Sequence, residues 1–394
     1  MRVLCTTWDM SGHLNPMVPL GWALRAAGHE VLVACAPHFA PVVTAAGLPA
    51  LPVGPEFDSF AELARQVRER GWQPSAPVDR DGDPTAPQRI RRRGLLGHRV
   101  GAQAAAAQAA ELVDFARQWR PDLVVFEPTG FAGPLVASLL DIPAVRHLWS
   151  VDLTAPVAEF AEDLVGELWR QYTVDSPRLN GDRTLDPCPA QVQVADELPR
   201  EPIRFVPYNG PSVLPDWLLE PPERPRVCVT WGTSLDRFGF GHLVHAPRVV
   251  AALADSEVEL VLAMTESQRA LFGELPANVR FLGPVPLHLL LPTCAAVVHQ
   301  GGAGGTMTAL VNGVPQLVVA DMPDGVFHGR QLARGGVGRT LAGEQATVPV
   351  LRDQVHSLLS EPGYRQAAAA ARADMLARPS PLDVVADLEK LAAR

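Results

Sequence analysis

Apolar runs recur along the first half of the chain with the length and composition of buried strands. RVLCTTW (2–8), VLVACA (31–36), PDLVVFE (121–127) and IPAVRHLW (142–149) are rich in Val, Leu and Thr. The intervening segments PMVPLGWALRAAGH and GPLVASLLD show helical periodicity, and the first of them has Pro16 near its start and Gly28 at its end. Alternation of strand, helix and strand predicts a parallel sheet covered on both faces.

The same pattern repeats in the second half. We predict strands in PRVCVTWGTS, VELVLAM, NVRFLGPVP, AAVVHQGG and VPQLVVAD, and a helix in HLVHAPRVVAALAD. A proline-rich stretch, 208–226, separates the halves and has the composition of a linker. We therefore predict an α/β protein with two doubly wound parallel-sheet domains, 1–207 and 227–378, facing each other across a cleft. Ligands then bind at the carboxyl ends of the strands.

Three segments fall outside this pattern. Residues 54–98 are rich in Gly, Pro and Arg, and residues 150–206 have weak periodicity. We expect loops and irregular helices in both, and long loops often carry substrate recognition. The C-terminal segment 379–394 is an amphipathic helix that can pack back on the first domain.

Composition excludes several functions. A net charge of −9 and a pI near 5.7 argue against nucleic-acid binding, and the basic run 88–99 suits a solvated helix face. The only lysine, Lys390, leaves none for a P-loop or a pyridoxal Schiff base. The five cysteines are scattered, the N-terminus is a strand without signal-peptide character, and no apolar run has membrane-spanning length. We expect a cytoplasmic protein that does not enter a membrane.

The most informative motif is HQGGAGGT (299–306), between a predicted strand and a predicted helix. Glycines allow close backbone approach, and a helix N-terminus offers unpaired N–H groups with a partial positive charge. The motif therefore predicts a pyrophosphate site, to which His299 can add a donor. The alternative is a turn whose glycines only permit tight packing.

A second candidate pair lies in the first domain. His13 in SGHLNP follows the first strand, and Glu127 ends the strand PDLVVFE. A carboxylate beside an imidazole fixes its tautomer and stabilises the imidazolium formed when the ring accepts a proton. The alternatives are that His13 has a structural role and that Glu127 is only a solvent-exposed carboxylate.

Metal sites are weakly supported. The sequence DGD (81–83) imitates a D-x-D motif but lies in a turn-rich stretch. His242 and His245 share a predicted helix face without a third ligand at metal-binding spacing. We predict no metal.

Three stretches together resemble a known family: SGHLNPMVPLGWALRAAGHEV, HQGGAGGTMTALVNGVPQLV, and LDPCPAQVQ with RFVPYNGP before the linker. They are similar to GT-B glycosyltransferases of family 1, above all the actinobacterial enzymes that attach deoxysugars to antibiotic aglycones. The resemblance covers nearly the whole chain. It implies an N-terminal acceptor-binding domain and a C-terminal nucleotide-sugar donor-binding domain.

The resemblance also implies roles for individual residues. His13 would be the general base, and Glu127 would stand where the family usually has an aspartate. The implied donor-binding residues are Gly232, Thr233, Val285, His299, Gly301, Gly302, Gly304, Gly305, Thr306 and Asp324. Aromatic residues expected to contact the acceptor are Phe60, Trp72 and Trp149.

The chain departs from the family pattern at three positions. Pro284 stands where a tryptophan is frequent, Gly305 replaces a serine or threonine, and Asp324–Gly325 replaces an Asp-Gln pair. The first change alters base stacking, the second removes a hydroxyl from the phosphate site, and the third removes an amide that binds sugar hydroxyls.

Taken together, these features predict an inverting, metal-independent glycosyltransferase. It would move a deoxysugar from a nucleotide diphosphate, dTDP by our expectation, onto a hydrophobic polyketide-type aglycone, with no cofactor. A homodimer is compatible with the sequence. Two alternatives stay open at this point: a nucleotide-sugar epimerase of the same architecture and a non-catalytic auxiliary protein.

Overall fold

The structure, a computed structural model, describes residues 1–69, 86–154, 160–175 and 178–393, with side chains in the helix 86–119 described from residue 96 onward. It contains two parallel sheets. The first has seven strands in the order β3-β2-β1-β4-β5-β6-β7. They are β1 Arg2–Thr6, β2 Glu30–Cys35, β3 Ala50–Pro52, β4 Leu123–Phe126, β5 Ala144–His147, β6 Arg183–Asp186 and β7 Glu201–Pro202.

The second sheet has six strands in the order β10-β9-β8-β11-β12-β13. They are β8 Arg226–Thr230, β9 Glu259–Ala263, β10 Val279–Gly283, β11 Ala296–His299, β12 Gln316–Ala320 and β13 Gly338–Ala342. In both sheets the strand order reverses beside the first strand of the domain, which is where doubly wound folds bind ligands. The α/β fold class predicted from the sequence is confirmed.

Helices cover both faces of each sheet, and apolar side chains fill the space between. Around the first sheet lie α1 Ser11–Leu14, α2 Val18–Ala26, α3 Ala40–Ala45, α4 Ser59–Glu69, α5 Ala86–Trp119, α6 Ala132–Leu140 and α7 Ala161–Gln171. Around the second lie α8 Ser234–Arg237, α9 Ala246–Leu253, α10 Glu266–Arg269, α11 Leu287–Leu290, α12 Ala303–Val311, α13 Pro323–Arg334, α14 Val348–Ser360 and α15 Pro362–Ala377. The last helix, α16 Pro381–Ala392, returns to the first domain and buries Val384, Val385, Leu388 and Leu391 in the core that contains α2.

A further hydrophobic core lies between the two domains and contains residues of both. Val151, Cys188, Val192 and Phe205 of the first domain are buried against a larger apolar set in the second. That set consists of Met307, Leu310, Val311, Val318, Ala320, Leu332, Val337, Ala371 and Met375. The segment 188–192 therefore joins the first domain to helices α12, α13 and α15.

Two expectations about local structure are wrong. The sequence predicts loops and irregular helices in 54–98 and 150–206, but α4 and the start of the single long helix α5 lie in the first segment, and α7, β6 and β7 lie in the second. His242 and His245 do not share a helix face. His242 lies in a short 3-10 turn, and His245 precedes the first residue of α9, because Pro247 favours the first turn of a helix.

Candidate functional site

The first half of the site is set by two neighbouring strands. Strands β1 and β4 are paired in parallel, with Thr6 opposite Phe126. Their carboxyl ends therefore lie side by side. His13 is on the short helix α1 that follows β1, and Glu127 directly follows β4.

His13 and Glu127 form a hydrogen-bonded pair. The His13 Nδ1 atom is 2.9 Å from Glu127 Oε2 and 3.1 Å from the Thr129 hydroxyl. The Glu127 side chain is fully buried, whereas that of His13 is 16 % exposed. Glu127 also accepts hydrogen bonds from the backbone N–H of Trp8 at 3.1 Å and from that of Thr129 at 2.9 Å. A carboxylate accepts and cannot donate, so Nδ1 of His13 must carry the proton.

Because Nδ1 carries the proton, Nε2 of His13 is unprotonated and its lone pair can accept a proton. Two aromatic rings flank the imidazole: the edge of Trp8, at a centroid distance of 5.2 Å, and Trp149, at 4.3 Å. In the described ranges no hydrogen bond reaches Nε2. The ring is thus fixed in tautomer and orientation while its basic nitrogen stays free for a substrate.

The second half of the site lies at the carboxyl ends of β8, β11 and β12, which are adjacent. Helix α12 begins at Ala303 after Gly302, which has the extended backbone of an N-cap residue. The N–H groups of the first helical turn have no partner within a helix. Here that turn is built from Ala303, Gly304 and Gly305, all partly exposed, so its amides are open to a ligand. We call residues 300–306 the donor turn.

His299 does not point a free donor into the donor turn. Its Nε2 donates to Gln316 Oε1 at 2.9 Å, and its Nδ1 accepts from the N–H of Gly301 at 3.1 Å. Burial lowers the pKa of His299 to about 4, which outweighs the opposing effect of the hydrogen bond to Gln316. The ring is neutral and both nitrogens are occupied. In this structure His299 holds the backbone of the donor turn.

Three other residues expected at the donor site have distinct surroundings. Gly232 has a positive φ of 61°, and a Cβ there would lie 2.5 Å from Gln300 Nε2. Thr233 is exposed, whereas Thr306 is fully buried and its hydroxyl has no hydrogen-bond partner in the described part of the chain. A Cβ on Gly302 would lie 3.0 Å from the same Gln300 nitrogen, so the side-chain amide of Gln300 lies between Gly232 and Gly302, where the diphosphate is expected.

The remaining residues expected at the donor site follow β12 and β10. Asp324 is exposed in the first turn of α13, immediately before buried Gly325. Val285 is partly buried beside exposed Pro284, after the edge strand β10.

The aromatic residues expected to contact the acceptor differ in their surroundings. Trp149 packs against His13, with the two rings tilted by 44°. Phe60 is buried in a cluster made mostly of apolar residues of the first domain. Its ring also contacts the second domain, with the Phe238 ring at 4.9 Å and the Arg237 guanidinium at 3.4 Å from its centre. Trp72 and the DGD sequence at 81–83 lie outside the described residues.

Within those same described ranges there is no cluster of three or more potential metal ligands. The structure gives His245 a carboxylate partner instead, with Nε2 at 2.8 Å from Asp321 Oδ2. No helix among the described residues is both long and apolar enough to span a membrane.

Sequence reasoning missed several residues that shape the site. Thr129 touches both His13 and Glu127, Gln316 orients His299, and His328 bonds to the donor turn. Only Thr129 left a local signal, since a threonine two residues after a glutamate can return its N–H and hydroxyl to that carboxylate. The other two depend on contacts between distant elements.

The chain matches two family models. Erythromycin biosynthesis protein CIII-like, N-terminal domain, matches residues 22–232, and the C-terminal domain of the same family matches residues 247–391. Similar curated proteins include a 10-deoxymethynolide desosaminyltransferase from Streptomyces venezuelae, 37 % identical over 100 % of this chain and 98 % of its own. A TDP-daunosamine transferase from Streptomyces peucetius is 39 % identical over 100 % of this chain and 97 % of its own.

Solved structures give the same result. The glycosyltransferase VinC in complex with dTDP has a TM-score of 0.82 and 34 % identity, with full coverage of both chains. The spinosyn rhamnosyltransferase SpnG, complexed with spinosyn aglycone, has a TM-score of 0.81 and 32 % identity over 99 % of this chain and 100 % of its own.

These relatives are transferases, so neither the epimerase nor the auxiliary-protein alternative is supported. The resemblance drawn from the HQGGAGGT and SGHLNP motifs is confirmed. The chain belongs to the erythromycin biosynthesis protein CIII-like family of GT-B glycosyltransferases.

Proposed function

We propose that this glycosyltransferase moves a deoxysugar from its dTDP derivative onto a hydrophobic polyketide-type aglycone, inverting the anomeric carbon without a metal ion. The observation that carries the proposal is the His13 imidazole, fixed through Nδ1 by Glu127 with Nε2 free. The names of the relatives, which include desosaminyl and daunosamine transferases, support this substrate class.

In the proposed reaction His13 Nε2 takes the proton of the acceptor nucleophile. The nucleophile attacks the anomeric carbon as the bond from that carbon to the diphosphate oxygen breaks, and dTDP leaves with the bonding electrons. The new imidazolium keeps its Nδ1–H on Glu127, which stabilises the positive charge. Attack on the side opposite to the leaving group inverts the anomeric centre.

The leaving diphosphate gains negative charge as that bond breaks. We assign its stabilisation to the open amides of the donor turn, which are fixed dipoles that need no reorganisation. His299 then acts indirectly by holding Gly301, since its own nitrogens are occupied. This differs from the direct role that the family resemblance implies.

The preference for a deoxysugar rests on Gly325. Asp324 can accept hydrogen bonds from sugar hydroxyls, but its neighbour has no side-chain amide. An enclosed hydroxyl without a partner costs roughly 1–3 kcal/mol, about tenfold or more in rate. A deoxysugar has fewer hydroxyls to satisfy than glucose.

A transfer assay with the full chain tests the proposal. Purified protein is incubated with a dTDP-deoxyhexose and polyketide aglycones, with and without EDTA, and the product's anomeric configuration is determined by NMR. We expect inverted product, equal rates in EDTA, and a kcat/KM about tenfold or more above that for UDP-glucose with the same aglycone. Retained configuration, loss of activity in EDTA reversed by Mg²⁺ or Mn²⁺, or equal use of UDP-glucose would contradict it.

A further inference from the structure

Two histidines hold the same glycine of the donor turn from opposite sides. The N–H of Gly301 donates to His299 Nδ1 at 3.1 Å, and its carbonyl oxygen is 2.7 Å from His328 Nδ1. Both rings are almost fully buried. Because a carbonyl only accepts, the His328 Nδ1 atom carries the proton. The two rings thus have opposite tautomers, and both backbone polar groups of Gly301 are satisfied by side chains.

The second nitrogen of His328 reaches across to the other domain. Its Nε2 is 2.8 Å from the hydroxyl of Ser150, which follows strand β5 of the first sheet. Since Nδ1 is the donor in the neutral ring, Nε2 accepts a hydrogen bond from Ser150. Burial lowers the pKa of His328, which keeps the ring in this neutral form.

Ser150 is also linked to the proposed base through its neighbour in the chain. Trp149 precedes it in the chain, and the Trp149 ring lies 4.3 Å from the His13 ring. Val151 follows it and belongs to the core shared by the domains. A short sequence of direct contacts therefore runs from Gly301 through His328, Ser150 and Trp149 to His13.

The donor turn has little freedom to move independently of these contacts. A Cβ on Gly301 would lie 2.7 Å from Gly325 Cα, so the two backbones are already in close contact. Gly325 and His328 are both on α13. A shift of His328 must therefore displace either the Gly301 carbonyl or its hydrogen bond.

We propose that His328 is a positioning residue that couples the two domains, aligning the donor turn with His13 through the Ser150 hydroxyl. This rests on the proposed function, in which the base and the diphosphate lie on opposite sides of the sugar. If His328 were only structural, its replacement would lower the stability of the fold. If His328 couples the domains, its replacement also lowers the turnover of protein that has already bound the donor.

Three substitutions separate the two bonds of His328. Ser150→Ala removes only the bond between domains, while His328→Asn can keep an N–H toward Gly301 but lacks the second nitrogen. His328→Leu removes both bonds and leaves the Gly301 carbonyl without its donor. Ser138→Ala is the matched control, because the Ser138 hydroxyl is in the same domain and has no hydrogen-bond partner among the described residues.

We expect Ser150→Ala and His328→Asn to lower kcat about three- to tenfold, as for the loss of one hydrogen bond, with the Kd for dTDP within about twofold of wild type. The double variant should lose no more than either single one, because both remove the same contact. His328→Leu should weaken dTDP binding about tenfold as well. Wild-type kcat in Ser150→Ala, or additive losses in the double variant, would overturn the proposal.

Amide hydrogen exchange gives a readout that does not need transfer activity. In the protein without ligand, Ser150→Ala and His328→Asn should speed exchange in 147–154 relative to wild type and Ser138→Ala. Adding dTDP should protect 300–306 in all of these proteins but protect 147–154 only where the Ser150–His328 bond is intact. Equal exchange in 147–154 across the set would overturn the coupling. Absence of transfer by the wild type, with these differences present, would instead contradict the proposed function.

Discussion

At the residue scale, the surroundings of Glu127 account for how a glutamate can hold His13 at a position where the resemblance implies an aspartate. The carboxylate receives four donors: the N–H groups of Trp8 and Thr129, the Thr129 hydroxyl and His13 Nδ1. These donors come from the segments that follow β1 and β4 and from helix α1, and together they fix the position of the longer side chain. The extra methylene therefore does not loosen the orientation of the imidazole.

Replacing His13 should abolish most of the chemistry and spare donor binding. A positioned acid–base group contributes about 10²–10⁴-fold, so His13→Ala should lower kcat by that factor. The Kd for dTDP, measured by calorimetry, should stay near the wild-type value because the donor turn is in the other domain.

Glu127→Gln tests the same pair with a milder change than His13→Ala. Its amide oxygen can still accept from His13, but the neutral group no longer stabilises an imidazolium, so the loss in kcat should be smaller than in His13→Ala. Wild-type turnover in His13→Ala would show that another group is the base.

The pairing could be anticipated because His13 and Glu127 follow strands whose apolar composition is evident in the sequence. The actual role of His299 could not. A histidine before a glycine-rich turn suggests a phosphate ligand, but Gln316, seventeen residues later, takes up Nε2 at 2.9 Å. Only the pairing of β11 with β12 brings these two side chains together.

At the element scale, the donor turn and the start of α13 are packed backbone to backbone. Gly301 has a positive φ of 87°, and a Cβ on Gly325 would lie within 2.3 Å of the carbonyl oxygen of Gln300. In this arrangement Gly325 is the residue that fits. The family's amide cannot be restored here by a single substitution without moving the donor turn.

Gly325→Ala tests this contact because two effects oppose each other. Helix propensity alone would stabilise α13 by about 1 kcal/mol, whereas the clash with backbone must push the turn away. We expect the clash to win, with a lower Tm and a Kd for dTDP raised about tenfold or more. Gly363→Ala in α15 is the control, since a Cβ there meets nothing within 4 Å. Gly363→Ala should leave the Kd for dTDP unchanged and keep or raise the Tm. The same result for Gly325→Ala would show that the donor turn can shift to accommodate the added methyl group.

Element prediction succeeded where buried parallel strands form continuous apolar runs, and it failed where that signal is weak. Strands β6 and β7, RTLD and EP, are short and polar, so no apolar run marks them in the sequence. The long helix α5 contains three glycines and a run of arginines in its first half, which suggested a loop. Its burial of Leu112 and Val113 against the sheet overrides those local preferences.

At the scale of the whole molecule, the shared core fixes how the two halves of the site meet. Its apolar residues come from both domains, and Val192 in the segment 188–192 is fully buried there. Each domain also has cores of its own on the faces of its sheet. The strength of the coupling between the domains therefore depends on a set of contacts distinct from those that fold each domain.

Calorimetry of two matched valine-to-alanine variants distinguishes the contribution of the shared core from that of a core within one domain. Val192 lies in the shared core and Val355 in the core of the second domain, and both are fully buried. Each valine-to-alanine change should cost about 1–3 kcal/mol. Val355→Ala should lower the Tm while the van't Hoff and calorimetric enthalpies keep their wild-type ratio. Val192→Ala should lower the ratio of the van't Hoff to the calorimetric enthalpy, because weakened contact between the domains lets them unfold less cooperatively.

Val192→Ala should also lower kcat more than Val355→Ala does, since the alignment of His13 with the donor turn depends on the same interface. Equal enthalpy ratios and equal kcat in the two variants would show that the shared core does not set the relation between the domains.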